Sequence, residues 1–296
     1  GPTIRLHNAD NVVVARTDIQ SGASVEGYNI VARNLVPAGY KIAIRDISEG
    51  EPVLKYNTTI GFASEFVPAG TMVHNHNISF GEFDRDYAYS RDYKPLELLP
   101  EVDRATFQGY RRQNGQAGTR NFIAVVSTVN CSATVVHEIA NNFTKEHLAA
   151  FPNVDGVAAF AHALGCGMEM TGEPMDLLQR TLAGYIRHPN IAGALVIGLG
   201  CERCQVGGLF SAQNLTTGPQ LRTMVMQESG GTRKSIETGI GIIEEMLVEA
   251  NKCERESVPA SHITVGLQCG GSDGFSSITA NPALGAAVDL LSRHGG

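Results

Sequence analysis

From Gly109 onward the chain repeats one pattern: a short apolar run, a glycine-containing loop, then an amphipathic stretch of helical period. The runs fall at 122–127, 156–160, 194–198, 223–226 and 263–267, and the helical stretches at 133–143, 174–186, 234–251 and 282–293. A strand that is apolar along its whole length is covered on both faces, and intervening helices supply the cover. The pattern therefore predicts an α/β domain with a mainly parallel sheet.

The first eighty or so residues are built differently. Short β-branched runs at 11–15, 28–32, 41–44, 53–54 and 72–73 are separated by turn residues, and Gly39, Gly50, Gly61 and Gly70 punctuate them at nearly regular spacing. No long 3.6-residue period is present, so a small, β-rich, barrel-like module is expected. The boundaries predicted are 1–78 for this module, 79–106 for a polar, aromatic linker and 107–296 for the α/β domain. Limited proteolysis is expected to cut within 87–94 and to release an N-terminal fragment that folds alone. Cleavage inside the α/β half with that segment intact argues against the boundary.

Composition narrows the function. A hydrophobic fraction of 43% with 18% charged residues is that of a chain with a packed core. The formal net charge of −7 speaks against a nucleic-acid partner, which needs clustered Lys and Arg. No apolar run is long enough to span a bilayer, and the opening Gly1-Pro2-Thr3-Ile4-Arg5 is unlike a secretion leader. Six cysteines in such a chain point to the reducing cytoplasm.

Four of those cysteines, Cys131, Cys166, Cys201 and Cys269, follow the carboxyl ends of expected strands. In open parallel sheets ligands bind outside those ends. Glycines flank the thiols in Gly165-Cys166-Gly167, Gly198-Leu199-Gly200-Cys201 and Gln268-Cys269-Gly270-Gly271, leaving room for a ligand against the main chain. A single cysteine at a strand end also serves as a small buried apolar residue; the recurrence at four equivalent positions favours a metal or substrate site. Thiolates suit iron, zinc or an iron–sulfur cluster. Cys201-Glu202-Arg203-Cys204 has the C-x-x-C spacing but lies after the third strand of its domain, where a redox motif is not expected.

Other groups carry charge or protons. Gly230-Gly231-Thr232-Arg233-Lys234 leads into a helix, and its backbone N–H groups with Arg233 and Lys234 suit a carboxylate. Gly270-Gly271-Ser272-Asp273-Gly274 offers a second such nest. His74 and His76 in His74-Asn75-His76-Asn77 would share one face of a strand, a spacing that places two imidazoles on one metal or substrate. His162 lies two residues past an expected strand, at the functional edge of the sheet, and His7 and Lys55 add polar groups from the N-terminal module.

These motifs together resemble the altronate/galactarate dehydratase family. His7-Asn8-Ala9-Asp10-Asn11, Lys55-Tyr56, Ile60-Gly61 and His74-Asn75-His76-Asn77 are similar to its small N-terminal SAF module. Gly118-Thr119-Arg120-Asn121, Gly165-Cys166, Gly198-Leu199-Gly200-Cys201-Glu202, Gln268-Cys269-Gly270-Gly271-Ser272-Asp273-Gly274 and Thr279-Ala280-Asn281-Pro282 are similar to its main domain. The histidine pair is closer to the altronate branch. Members of the family are usually much longer.

The resemblance implies an α+β chain: a β-rich, SAF-like module followed by an α/β domain. It implies dehydration of a sugar acid to a 2-keto-3-deoxy acid with a divalent metal, Fe(II) or Mn(II), or with an iron–sulfur cluster. The implied metal ligands are His74, His76, Cys131, Cys166, Cys201 and Cys269. The proton-transfer candidates are His162, Lys55 and His7, and the substrate contacts Arg233, Lys234, Ser272, Asp273 and Asn281. A small-molecule sugar acid is the expected partner, with no nucleic acid and no membrane, and a homodimer is compatible. The alternatives are a non-catalytic sugar-acid-binding or assembly subunit and a relative of the sulfo-lyases.

Overall fold

The computed structural model describes residues 1–83, 88–91, 93–271 and 273–296. Two compact units divide the chain. The first is Gly1–Leu98 with Val265–Arg293, and the second Leu99–Thr264 with His294–Gly296. Part of the expected linker, Asp84, Arg85, Asp86, Tyr87 and Asp92, lies outside the described residues, as does Ser272.

In the first unit, strands β1 (Thr3–Ile4), β2 (Val12–Ala15), β3 (Lys41–Ala43) and β6 (Met72–Val73) form one antiparallel sheet in the order β1-β2-β3-β6. Strands β4 (Pro52–Lys55), β5 (Thr58–Ala63) and β7 (Ile78–Ser79) form a second. Successive side chains of a strand point to opposite faces. Val12 accordingly packs with Ile47, Val53, Val67 and Val73, whereas Val13 and Ala15 pack with Ile19, Val25, Val36 and Ile42. Strand β2 is thus buried on both sides, which explains its unbroken apolar sequence. The run at 28–32 forms no strand; Val31 makes only an isolated bridge to Ser24.

The turn from β4 to β5 is two residues long, and both Tyr56 (φ 56°) and Asn57 (φ 54°) are left-handed, the conformation of a tight hairpin turn. Tyrosine is a poor residue for that conformation. The buried carboxylate of Asp10 holds it there by accepting from the backbone N–H groups of Tyr56 (3.1 Å) and Asn57 (2.8 Å), and from that of His7 (2.9 Å).

The second unit contains β8 (Thr106–Arg111), β9 (Ala117–Gly118), β10 (Phe122–Ser127), β11 (Gly156–Phe160), β12 (Ile191–Gly198), β13 (Leu221–Val225) and β14 (Glu256–Pro259). A parallel sheet runs in the order β11-β10-β12-β13. Its helices are α1 (Ala133–Asn141), the short α2 (Lys145–Leu148), α3 (Glu173–Ile186), α4 (Val206–Ala212) and α5 (Thr232–Ala250); α6 (Ala280–Arg293) belongs to the first unit. Ile123 and Val125 of β10, with Leu195 and Ile197 of β12, meet Val136 and Ile139 of α1 and Ile243 and Leu247 of α5. Ala124, Val126, Ala194 and Val196 meet Leu178 and Leu182 of α3 and Leu209 of α4 on the other face. Each fully buried Val, Leu or Ile contributes about 1.5–3 kcal/mol, so helices on both faces are what the apolar strands require.

The expected fifth strand at 263–267 is a correction. Those residues are irregular, and Val265 and Leu267 are 53% and 55% exposed, so the run lacks the cover on both faces that an inner strand needs. Strand β14 instead pairs antiparallel with β8.

Candidate active site

Three loops leave the carboxyl edge of the parallel sheet: 128–132 after β10, 161–172 after β11 and 199–205 after β12. Backbone hydrogen bonds stitch them together. The N–H of Asn130 donates to the carbonyl of Leu164 (2.9 Å), and those of Arg203 (2.8 Å) and Cys204 (3.2 Å) to that of Gly165. Gly165 (φ 95°) is required here: a Cβ would lie 2.2 Å from the Thr128 carbonyl oxygen. The buried Glu202 ties the same loops from below, accepting from Thr128 Oγ1 (3.1 Å) and from the N–H of Gly200 (2.5 Å).

This stitching brings Cys131, Cys166 and Cys201 into one place. Cys131 Sγ lies 3.7 Å from Asn130 Oδ1, and Cys166 and Cys201 are near enough to act electrostatically on the Cys131 thiol. Partial desolvation, then Cys166 and Cys201, raise the Cys131 thiol above its ordinary value. All three thiols are exposed, and Gln227, from the loop after β13, reaches Cys201 Sγ with its amide at 3.6 Å. Cys204, three residues on, is buried among the α3 and α4 side chains, and burial followed by Glu202 pushes its thiol up to about 11. It is protonated at neutral pH, which does not suit a redox partner for Cys201.

His162 stands beside these loops with both ring nitrogens engaged. Nε2 is 3.0 Å from the Ser127 carbonyl, and Nδ1 accepts from the N–H of Leu164 (3.1 Å). Burial lowers its pKa, so the ring is neutral at pH 7, with Nε2–H as donor and no free lone pair in this arrangement. Arg233 and Lys234 lie in the first turn of α5, at the end of the β13 loop; Arg233 is 93% exposed on its side chain and pairs with Glu237 at 3.0 Å. At the opposite edge of the sheet a cleft of about 700 Å³ opens between Arg112, His188, Gly193, Leu221 and Lys252, lined also by Cys253 but by none of Cys131, Cys166 and Cys201.

The remaining sequence-predicted residues are in the first unit. His74 and His76 occupy the turn between β6 and β7, not a strand, so the shared-face geometry does not arise. Asn77 closes that turn, its Oδ1 accepting from the His74 N–H (3.0 Å), and the His74 ring lies 5.1 Å from that of Tyr40. Lys55 donates to Ser277 Oγ (2.9 Å), and exposed His7 accepts from the Ala9 N–H through Nδ1 (3.1 Å). Asp273 Oδ1 accepts from the N–H groups of Phe275 (2.7 Å) and Ser276 (2.9 Å), and the Asn281 N–H donates to the Ser276 carbonyl (2.9 Å). Cys269 is exposed in the irregular segment before them. Placing it on the parallel sheet with the other thiols is therefore corrected: no strand precedes it and it belongs to the first unit.

Among the described residues, no three His, Cys, Asp or Glu side chains stand as a ready-made single-ion sphere. What the fold offers to a soft metal is the donor chemistry of Cys131, Cys166 and Cys201, which suits iron. Sequence reasoning missed the roles of Glu202 and Gln227. Glu202 was legible as an acid beside the glycine-rich string Gly198-Leu199-Gly200; Gln227 carried no signal.

A parallel α/β sheet with thiols gathered on its loops, preceded in the chain by a small two-sheet β module, defines a two-part class of protein. Residues 2–81 match the family model for the altronate/galactarate dehydratase SAF domain. Residues 109–251 match that for the D-galactarate dehydratase/altronate hydrolase second domain, and 260–296 that for the D-galactarate/altronate dehydratase C-terminal region. The chain belongs to the altronate/galactarate dehydratase family. It is 35% identical to altronate dehydratase of Bacillus subtilis (strain 168) and 36% identical to that of Escherichia coli (strain K12), in each case over 99% of this chain and 58% of the relative. Identity to galactarate dehydratase (L-threo-forming) of Escherichia coli (strain K12) is 33%, over 99% of this chain and 57% of the relative. The chain thus spans somewhat more than half the length of these relatives.

Proposed function

We propose that the complete protein is a hydro-lyase that removes water from a sugar acid. The observation that carries this reading is the meeting of three thiol-bearing loops at the carboxyl edge of the sheet, in a chain similar to dehydratases along 99% of its length. A base takes the C2 proton of an aldonate or aldarate, the C3–O bond breaks with a proton delivered to the departing hydroxyl, and the enol so formed tautomerises to the 2-keto-3-deoxy acid. A divalent cation, Fe(II) or Mn(II), or an iron–sulfur cluster, supplies Lewis-acid stabilisation of the charge that develops beside the carboxylate.

Within this reading Cys131, Cys166 and Cys201 hold that group. His162 fixes the β10 and β11 loops through both its nitrogens and so acts as a positioning residue. Lys55 and His7 are the proton-transfer candidates of the first unit, and His74 and His76 further ligand candidates there. Altronate is the first substrate to test. A cytoplasmic enzyme, a homodimer and division near 79–106 complete the proposal. No helix among the described residues is long and apolar enough to cross a membrane.

Chelation of the complete enzyme is expected to abolish turnover of altronate or galactarate. Iron(II) or manganese(II) should restore it more fully than magnesium, since sulfur donors favour the softer ions. Full activity in metal-free protein overturns the mechanism. A second reading, sugar-acid binding without catalysis by this part of the protein, is favoured by the span of 58% of the relatives. Under that reading the chain alone binds the acid and turns over none.

A further inference from the structure

The cleft of about 700 Å³ at the amino edge of the parallel sheet lies wholly within the second unit. Its sides are the turn 112–116 between β8 and β9, the residues that follow α3, the first residues of β12 and β13, and the end of α5. Two glycines shape it. A Cβ on Gly118 would stand 2.4 Å from the Pro189 carbonyl oxygen, so glycine there lets β9 close on the loop before β12. Arg112 Nε donates to that same carbonyl at 2.7 Å. A Cβ on Gly193 would stand 2.8 Å from Met246 Cε and 3.0 Å from the Gln220 carbonyl oxygen, and both neighbours line the cleft. The missing side chain therefore leaves room in its floor.

The lining is cationic although the chain carries a net charge of −7. Arg111, Arg112, Arg187 and Lys252 stand there with a single acid, Glu249. Glu249 pairs with Lys252 at 2.6 Å, and Arg111 with Glu256. Arg112 and Arg187 have no carboxylate among the described residues. Half-buried Arg112 is held by neutral acceptors, the carbonyls of Pro189 and Arg120 (3.2 Å) and Asn121 Oδ1 (2.9 Å). Exposed Arg187 donates through Nη2 to the carbonyls of Gln213 and Asn214, and its Nε and Nη1 have no acceptor among the described residues. Between these cations the lining is apolar, with Ile186, Ile191, Leu215, Leu221 and Met246.

A concave surface lined by one sign of charge concentrates the opposite ion. Guanidinium groups hold a carboxylate, sulfonate or phosphate through two N–H groups at once. An apolar floor adds the burial of a hydrocarbon or aromatic body, and the volume is that of a site for a small organic molecule. We propose that this cleft binds a small organic anion, its apolar body on the floor and its acidic group at the cationic rim. The site shares none of Cys131, Cys166 and Cys201 and does not depend on the reaction proposed above.

The test is a fluorescence titration of the chain with anilinonaphthalene sulfonate, an aromatic body bearing one sulfonate, and with anilinonaphthalene as its neutral counterpart. The sulfonate is expected to bind, and the neutral compound to bind about tenfold or more weakly, the usual loss when a hydrogen bond between charged groups is removed. Arg187→Gln and Lys252→Gln together, both at exposed positions, should weaken the sulfonate about tenfold. Raising the ionic strength should do the same to the parent chain and leave the neutral compound unaffected, a reading that needs no variant. Cys253 lines the cleft and reports where the probe sits. Its alkylation should slow in proportion to the sites filled, while Cys131 and Cys201 react at their unliganded rates. Bound probe with Cys253 alkylated at its unliganded rate overturns the proposal, as does equal affinity for the two compounds. So does undiminished affinity in the double variant, or no sulfonate bound at millimolar concentration.

Discussion

Serine in place of Cys131, Cys166 or Cys201 is expected to lower turnover of the complete enzyme about 100-fold or more, the scale on which loss of support at a metal site is felt. Serine is nearly isosteric with cysteine but a poorer soft-metal ligand. All three thiols are exposed, so their replacement leaves the core intact and the thermal midpoint close to the parent value. Bound iron should fall with activity. Two other cysteines act as controls. Cys253→Ser, at a half-buried position beside Arg112, should change neither quantity. Cys204→Ser should lower stability without lowering bound iron, since that side chain packs in the core against α3 and α4. Parent-like iron and turnover in all three exposed-thiol variants would exclude a metal at this edge.

The second large effect is expected at Gly165. An alanine there places its Cβ 2.2 Å from the Thr128 carbonyl oxygen and 2.8 Å from the Val129 Cα, and it must adopt φ near 95°. Both obstacles are backbone, so no side-chain rotation relieves them. A loss of about 2–4 kcal/mol is expected from strain and overpacking combined. Because the Gly165 carbonyl also receives the N–H groups of Arg203 and Cys204, the three thiols should separate and react with alkylating reagents at unequal rates. Gly167 is the matched control: it has open space around its Cβ position and no left-handed φ, so Gly167→Ala should cost less than about 0.5 kcal/mol. Equal denaturant midpoints for the two variants would show that the loop junction is not held as described.

Much of this was legible in the residues. The apolar runs at 122–127 and 156–160 are the strands β10 and β11, because a strand covered on both faces has to be apolar throughout. Three of the four thiols expected at the carboxyl edge are there for the same topological reason. The run at 263–267 has the composition of a strand but no neighbour to bury it, and burial is a property of tertiary contacts that a short run does not encode. His74-Asn75-His76-Asn77 follows a strand and was expected to continue it. Asn77 turns the chain instead, its side chain bonding to the His74 N–H and the Met72 carbonyl, a local competition with the sheet ladder.

Strands β10 and β12 place odd-numbered side chains in one apolar cluster and even-numbered ones in the other. A single inserted residue in either strand exchanges the two sets: Ile123 and Val125 would face α3, and Ala124 and Val126 would face α1. The small and large side chains are not interchangeable between the two clusters, so the length of these strands is closed to variation. The loops beyond their ends are free of that parity. New reactivity in a scaffold of this kind arises by changing what the loops carry, while the strands keep the count.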